Sequence, residues 1–139
     1  MTLFPRQIAF LSIAMVLFIG VHFLAAQHNS GYQNFKTSYK PHQEKLDPSN
    51  KAVQVVQYLS GAELAAVLES YIQEGDKQMF SLLICSVGRP LSVEALQAMS
   101  TGAMAKGLNW LDKYWTLDLM WYTDEATFNR VAPSLKAFR

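Results

Sequence analysis

Cysteine is nearly absent from this chain of 139 residues: Cys85 stands alone. No internal disulfide can form, and no thiolate metal cluster can be assembled from one chain. Histidine is almost as scarce. His22, His28 and His42 all lie before position 43, which reads as outside the folded part and excludes a Ser-His-Asp or Cys-His site within the domain. Neither charge sign prevails, with 12 Lys and Arg against 11 Asp and Glu and a formal net charge of +1. The charges are scattered without a basic stripe or an acidic tail, so no nucleic-acid partner is expected. The glycine patterns G-x-x-x-x-G-K-[ST] and G-x-G-x-x-G, which cradle phosphates through backbone N–H groups, are missing. The remaining carboxylates fall in a domain too small to hold two across a cleft. These absences predict no catalytic residue, no cofactor and no metal site, and they speak against a small-molecule ligand.

What the chain does contain is an uncharged apolar run from Ile8 to Ala26. As a helix it spans roughly 29 Å at about 1.5 Å per residue, close to the thickness of a bilayer's hydrocarbon core. Ile8, Leu11, Val16, Phe18, Val21 and Phe23 form the expected membrane anchor. Arg6 supplies a basic amino end, while Leu24-Ala25-Ala26 makes a poor cleavage site because leucine is not small, so an uncleaved signal anchor is favoured over a cleaved signal. The expectation is a bitopic, single-pass protein: residues 1–7 cytoplasmic, 8–26 in the membrane, and the C-terminal domain in a periplasm or lumen. His22 and His28 are six residues apart, a spacing that does not stack two ligands on one helix face, and they read as interfacial.

Residues 27–50 turn polar, with Gly31, Pro41 and Pro48, and read as a linker. Tyr32, Phe35 and Tyr39 recur at helical spacing, which admits a short amphipathic turn or a strip for a neighbour. Residues 51–139 are then one small domain. Lys51 to Tyr58, KAVQVVQY, is valine-rich and reads as a strand. Ser60 and Glu63 form an S-x-x-E capping box ahead of Leu64, Val67, Leu68, Tyr71 and Ile72, and Gly75 supplies a stop, predicting a helix over 61–74. Met79 to Val87, MFSLLICSV, is almost continuously apolar and reads as a central strand. Ser92 is a candidate N-cap for a second helix carrying Val93, Leu96 and Met99, with Gly102 and Gly107 weakening its continuation. Thr116 to Thr123, TLDLMWYT, alternates and reads as a third strand, and Thr123 or Asp124 caps a last short helix that Pro133 interrupts. The order β-α-β-α-β-α predicts an α/β fold, a small three-stranded parallel sheet packed by two to three helices, with a split βαβ α+β arrangement as the alternative.

Cys85 falls at the carboxyl end of the expected central strand, where open α/β sheets place ligands. It has no second cysteine to resolve a disulfide and sits in an apolar run, so it reads first as a buried thiol and second as a reactive one. Arg89 lies in the following turn, where a helix N-terminus could accept an anion, but a solvated turn is the favoured reading. The densest feature is aromatic: Trp110, Tyr114, Trp115, Trp121 and Tyr122 fall within thirteen residues. In a domain this small most of these aromatics are expected to be core; the candidate partner-binding residues are Trp110, Tyr114, Trp115, Met120 and Tyr122, with Asp112 and Lys113 as a polar rim. The functional expectation is a non-enzymatic, membrane-anchored accessory or assembly subunit of an envelope or membrane complex, recognising protein partners. The alternatives are a membrane-tethered, thioredoxin-like thiol protein using Cys85, or a small-ligand or lipid-binding module.

Overall fold

The computed structural model of the chain describes residues 31–42 and 51–139. The expected anchor, Ile8 to Ala26, lies outside the described residues. Among the described residues no helix is long and apolar enough to cross a membrane. Each helix of residues 51–139 is 6 to 14 residues long, at most about 21 Å, against the ~30 Å of a hydrocarbon core. The single-pass, bitopic membrane placement, with its cytoplasmic N-terminus and periplasmic or lumenal domain, is therefore not retained.

The chain divides into two compact units, Met1–Ser38 and Tyr39–Arg139. In the first, residues 31–38 form a helix, α1. In the second, after the non-helical residues 39–42, the described elements are all helices: α2 (Lys51–Val56), α3 (Gly61–Glu74), α4 (Lys77–Ser86), α5 (Arg89–Ala98), α6 (Thr101–Leu108), α7 (Lys113–Tyr122) and α8 (Glu125–Val131), closed by two 3₁₀ turns, Ala132–Ser134 and Lys136–Phe138. No strand occurs among the described residues, so the expected three-stranded α/β sheet is corrected to an all-helical domain.

Local chemistry at the helix starts explains the outcome. Ser60, Asp76, Ser100, Asp112 and Asp124 each precede a helix, and each side chain accepts a hydrogen bond from the backbone N–H three residues on. One such cap stabilises a helix by about 1 kcal/mol. The Ser60–Glu63 pair closes the full reciprocal capping box, and Gly75 ends α3 in the left-handed region at φ 74°. Helix α5 starts without a side-chain cap, using Gly88 and a proline in its first turn. Ser92, expected to cap this helix, is inside it and fully buried, its hydroxyl donating to the Arg89 carbonyl.

Each expected strand is a helix, and two of them conceal a helical stripe. In α4 the buried residues are Phe80, Leu83, Ile84 and, just beyond the helix, Val87, the i, i+3, i+4, i+7 series of one helix face. An apolar run this short carries too little period to tell buried strand from buried helix. In α2, Val53 and Val56 are buried three residues apart while Val55 is 70% exposed, a helical pattern, not an alternating one. In α7, Thr116, Leu117, Asp118, Leu119 and Met120 are buried in succession, because the middle of this helix is enclosed by the domain.

Helix α3 is the central element, packing Leu64, Leu68 and Ile72 against α5, α4 and α6. Its first residue, Gly61, lies so close to Glu94 of α5 that an added Cβ would stand 2.5 Å from Glu94 Cγ. The chain breaks between α5 and α6 at Ser100, not at either glycine. Ser100 donates its N–H to Glu69 of α3, and Arg130 of α8 donates to the Met99 carbonyl and the Thr101 hydroxyl. Gly107 is a packing site: a Cβ there would meet Phe80 Cζ at 2.5 Å and Ile72 Cδ1 at 3.0 Å.

Gly107 and Gly102 share one helix and have opposite surroundings, since nothing lies within 4 Å of a Cβ at Gly102. Gly107→Ala must displace the fully buried Phe80 ring and is expected to cost about 1–3 kcal/mol, lowering Tm by on the order of 5–15 °C. Gly102→Ala adds helix propensity in open space and is expected to stabilise by up to about 1 kcal/mol. Thermal denaturation of the two variants followed by circular dichroism checks the contrast.

Candidate functional site

A carboxylate in the interior organises one side of α7. Asp118 is only 4% exposed, and burying an ionised carboxyl is costly unless hydrogen bonds replace water. The replacement comes from far away in the chain. Asp118 Oδ1 accepts from the Tyr39 hydroxyl at 2.5 Å and from the His42 backbone N–H at 3.3 Å. His42 Nδ1 lies 3.2 Å from Oδ2 and 3.3 Å from Oδ1. Residues 39–42 are thus strapped to α7 by one side chain. The Tyr39 phenol is pushed well above its ordinary titration range, first by burial, then by its hydrogen bond to Asp118 and by the charges of Asp118 and Tyr114, with Arg89 opposing. His42, which the sequence placed outside the domain, is one of the groups that completes it.

Arg89, the first residue of α5, is buried as well. Its guanidinium lies 5.6 Å from the Trp115 ring centroid and 5.4 Å from that of Tyr122, so a flat cation is held between two aromatic faces presented by α7. Tyr122 makes an edge-on contact with Trp121 at 5.1 Å and forms one wall of an open groove of about 530 Å³. Arg89, Pro90, Val93, Glu94 and Gln97 line the rest. Tyr114, 65% exposed, stands edge-on to the His42 ring.

A second aromatic centre lies at the end of α6. Trp110 packs edge-on against Phe80 at 5.9 Å. The ammonium groups of Lys77, from α4, and Lys106, from α6, approach its ring centroid to 5.7 and 5.9 Å.

The residues singled out from sequence meet different fates. Tyr114 and Tyr122 present aromatic surface to solvent, and Trp110 and Trp115 are half-buried, each with a cation at its ring. Met120 is fully buried core. A strand would have put it on the same face as Tyr122; the helical turn swings it inward. Cys85 is half-buried one residue before the end of α4. Its thiol is pushed up to about 12, chiefly by burial and further by Asp112, with Arg89 opposing. A helix carboxyl end also disfavours a thiolate. Among the described residues no group of three or more His, Cys, Asp or Glu side chains is placed to hold a metal ion. Sequence reasoning missed Asp118, Tyr39 and His42 as a unit. One signal was available: an aspartate inside the apolar run Leu117–Tyr122 must find donors if that run is buried.

No family model matches the chain, and neither a curated protein nor a solved structure matches it.

Three expectations follow from this geometry. At pH 8 the native Cys85 should react with iodoacetamide about 10²–10³-fold more slowly than in denaturant, because so little thiolate forms; comparable rates would contradict the burial. The native thiol and the Tyr39 phenol keep their protons at pH values where the unfolded chain loses them. Stability is therefore full below about pH 9 and falls as the pH rises towards 12,, which urea titrations across that range measure. The third expectation concerns the strap. Asp118→Ala removes the common acceptor of residues 39–42 and is expected to destabilise by about 1–3 kcal/mol, with faster hydrogen exchange at the His42 amide.

Proposed function

We propose that the domain of residues 51–139 is a non-enzymatic recognition module, an accessory or assembly subunit that binds a protein partner through the face carrying Arg89, Tyr114 and Tyr122. The observation that carries this reading is the wall shared by Arg89 and Tyr122. A buried guanidinium holds a part-exposed phenol ring beside a groove whose lining mixes Pro90 and Val93 with Glu94 and Gln97. Rigid tyrosines and arginines next to a concave surface are the usual anchors of protein interfaces, since they offer large contact area with little side-chain entropy left to lose. The thiol alternative draws no support from Cys85, whose nucleophilic form is suppressed. A small ligand is the second reading, because about 530 Å³ falls in the range of small-molecule sites,.

A photo-crosslinking amino acid placed at Tyr122 in the full chain, expressed in its native cells, tests the proposal. A discrete protein adduct is expected from Tyr122, lost when Gln97→Arg obstructs the groove rim. The same probe at the 84%-exposed Tyr58 serves as control. Adducts of equal pattern at both positions, or none at Tyr122, would overturn the reading, and a bound small molecule retained in native mass spectrometry would favour the second one.

A further inference from the structure

We infer that Trp110, Lys77 and Lys106 form a second interaction surface, distinct from the Arg89–Tyr122 groove, that receives an acidic segment of a partner protein, carboxylates flanking an apolar side chain. Three observations converge on it. First, two ammonium groups from different helices are drawn to one indole, at 5.7 and 5.9 Å, while neither forms an ion pair with a described carboxylate. Second, the acids nearest in sequence are already committed. Asp76 accepts from the Met79 N–H and Asp112 from the Trp115 N–H, each serving as a helix cap. Third, the indole is held from behind. Phe80, fully buried, meets Trp110 edge-on and is itself seated against Gly107, so the ring is a fixed platform while both lysines are exposed and free to turn.

Two ammonium groups gathered at one half-buried indole make this patch positive, and a carboxylate docking at the ring is attracted by both. The indole meanwhile offers an apolar seat for the side chain between the anions. The chemistry favours a peptide over a polyanion. Nucleic acids and anionic bilayers are held by runs of cations that neutralise several phosphates at once, whereas the 12 basic residues here are interspersed with 11 acidic ones.

The test uses the full chain with ¹⁵N-labelled tryptophan and follows the Trp110 indole N–H by NMR. The probe is a synthetic peptide with two glutamates flanking a phenylalanine; its glutamine analogue, an oligothymidine and phosphatidylserine-containing vesicles are the other arms. The glutamate peptide is expected to shift the Trp110 resonance saturably and to weaken as salt is raised. Lys77→Ala combined with Lys106→Ala should reduce its affinity about tenfold or more, and Gln97→Arg at the groove should leave it unchanged, which separates this surface from the one proposed above. Because both lysines are exposed, the double variant should keep the parent circular dichroism spectrum, and Lys106→Glu alone provides a second charge change on the same platform. Equal binding of the glutamine analogue, indifference to the lysine variants, or a Trp110 shift produced by the oligonucleotide or vesicles but not by the peptide would each overturn the inference.

Discussion

Phe80 resting on the bare backbone of Gly107 ties three helices of this domain together at one point. The ring belongs to α4, the glycine to α6, and Ile72 of α3 closes the same point, so three helices meet where one side chain is missing. Short helices of 6 to 14 residues are marginal in isolation and draw their stability from the apolar faces they bury. A close approach of this kind lets α4 and α6 share a core around Leu68, Leu83, Met104 and Leu108, all essentially without solvent exposure. The same ring then supports Trp110 from within. Core packing and the orientation of a surface indole are consequences of one interaction.

The polar interior follows a parallel logic on α7. That helix is enclosed near its middle, yet it carries an aspartate and a threonine there. Thr116 is satisfied locally, its hydroxyl donating to the Leu108 carbonyl at 2.8 Å. Asp118 has no such neighbour within its helix and recruits Tyr39 and His42 from more than seventy residues earlier. The guanidinium of Arg89 is accommodated between aromatic rings, which accept a weakly hydrated flat cation better than they would an ammonium. In both cases a charged group inside the domain sets the position of something at its surface: the strap for Asp118, and Tyr122 with its groove for Arg89.

Legibility varied with the range of the interaction that decided each element. Helix α3 could be read because its signals are local: a capping box, a run of apolar residues at helical intervals, and a glycine in the left-handed region. The break before α8 and its interruption by Pro133 were equally local. Helices α2, α4 and α7 were misread as strands, since valine content, continuous apolarity and alternation describe side chains without saying what faces them. Asp76 and Asp112 stand at the right places to cap α4 and α7, and these aspartate caps were the readable correction. Of the candidate surface, Trp110, Tyr114, Trp115 and Tyr122 were visible as an aromatic cluster. Arg89 was visible only as a loop cation, and the Tyr39–His42–Asp118 unit was not visible as a unit.

The sequence by itself determined where helices can start and stop, that a reactive cysteine pair is impossible, and that aromatic residues concentrate between 110 and 122. Only the tertiary structure decided which of those aromatics face outward, that Met120 turns inward, and that His42 joins Asp118. Caps and periods are set by atoms three or four residues apart and so are written in order along the chain. The direction in which a side chain points, and the partner it meets, depend on helices packed from distant segments, and that packing is settled by fits such as Phe80 against Gly107 that no local pattern encodes.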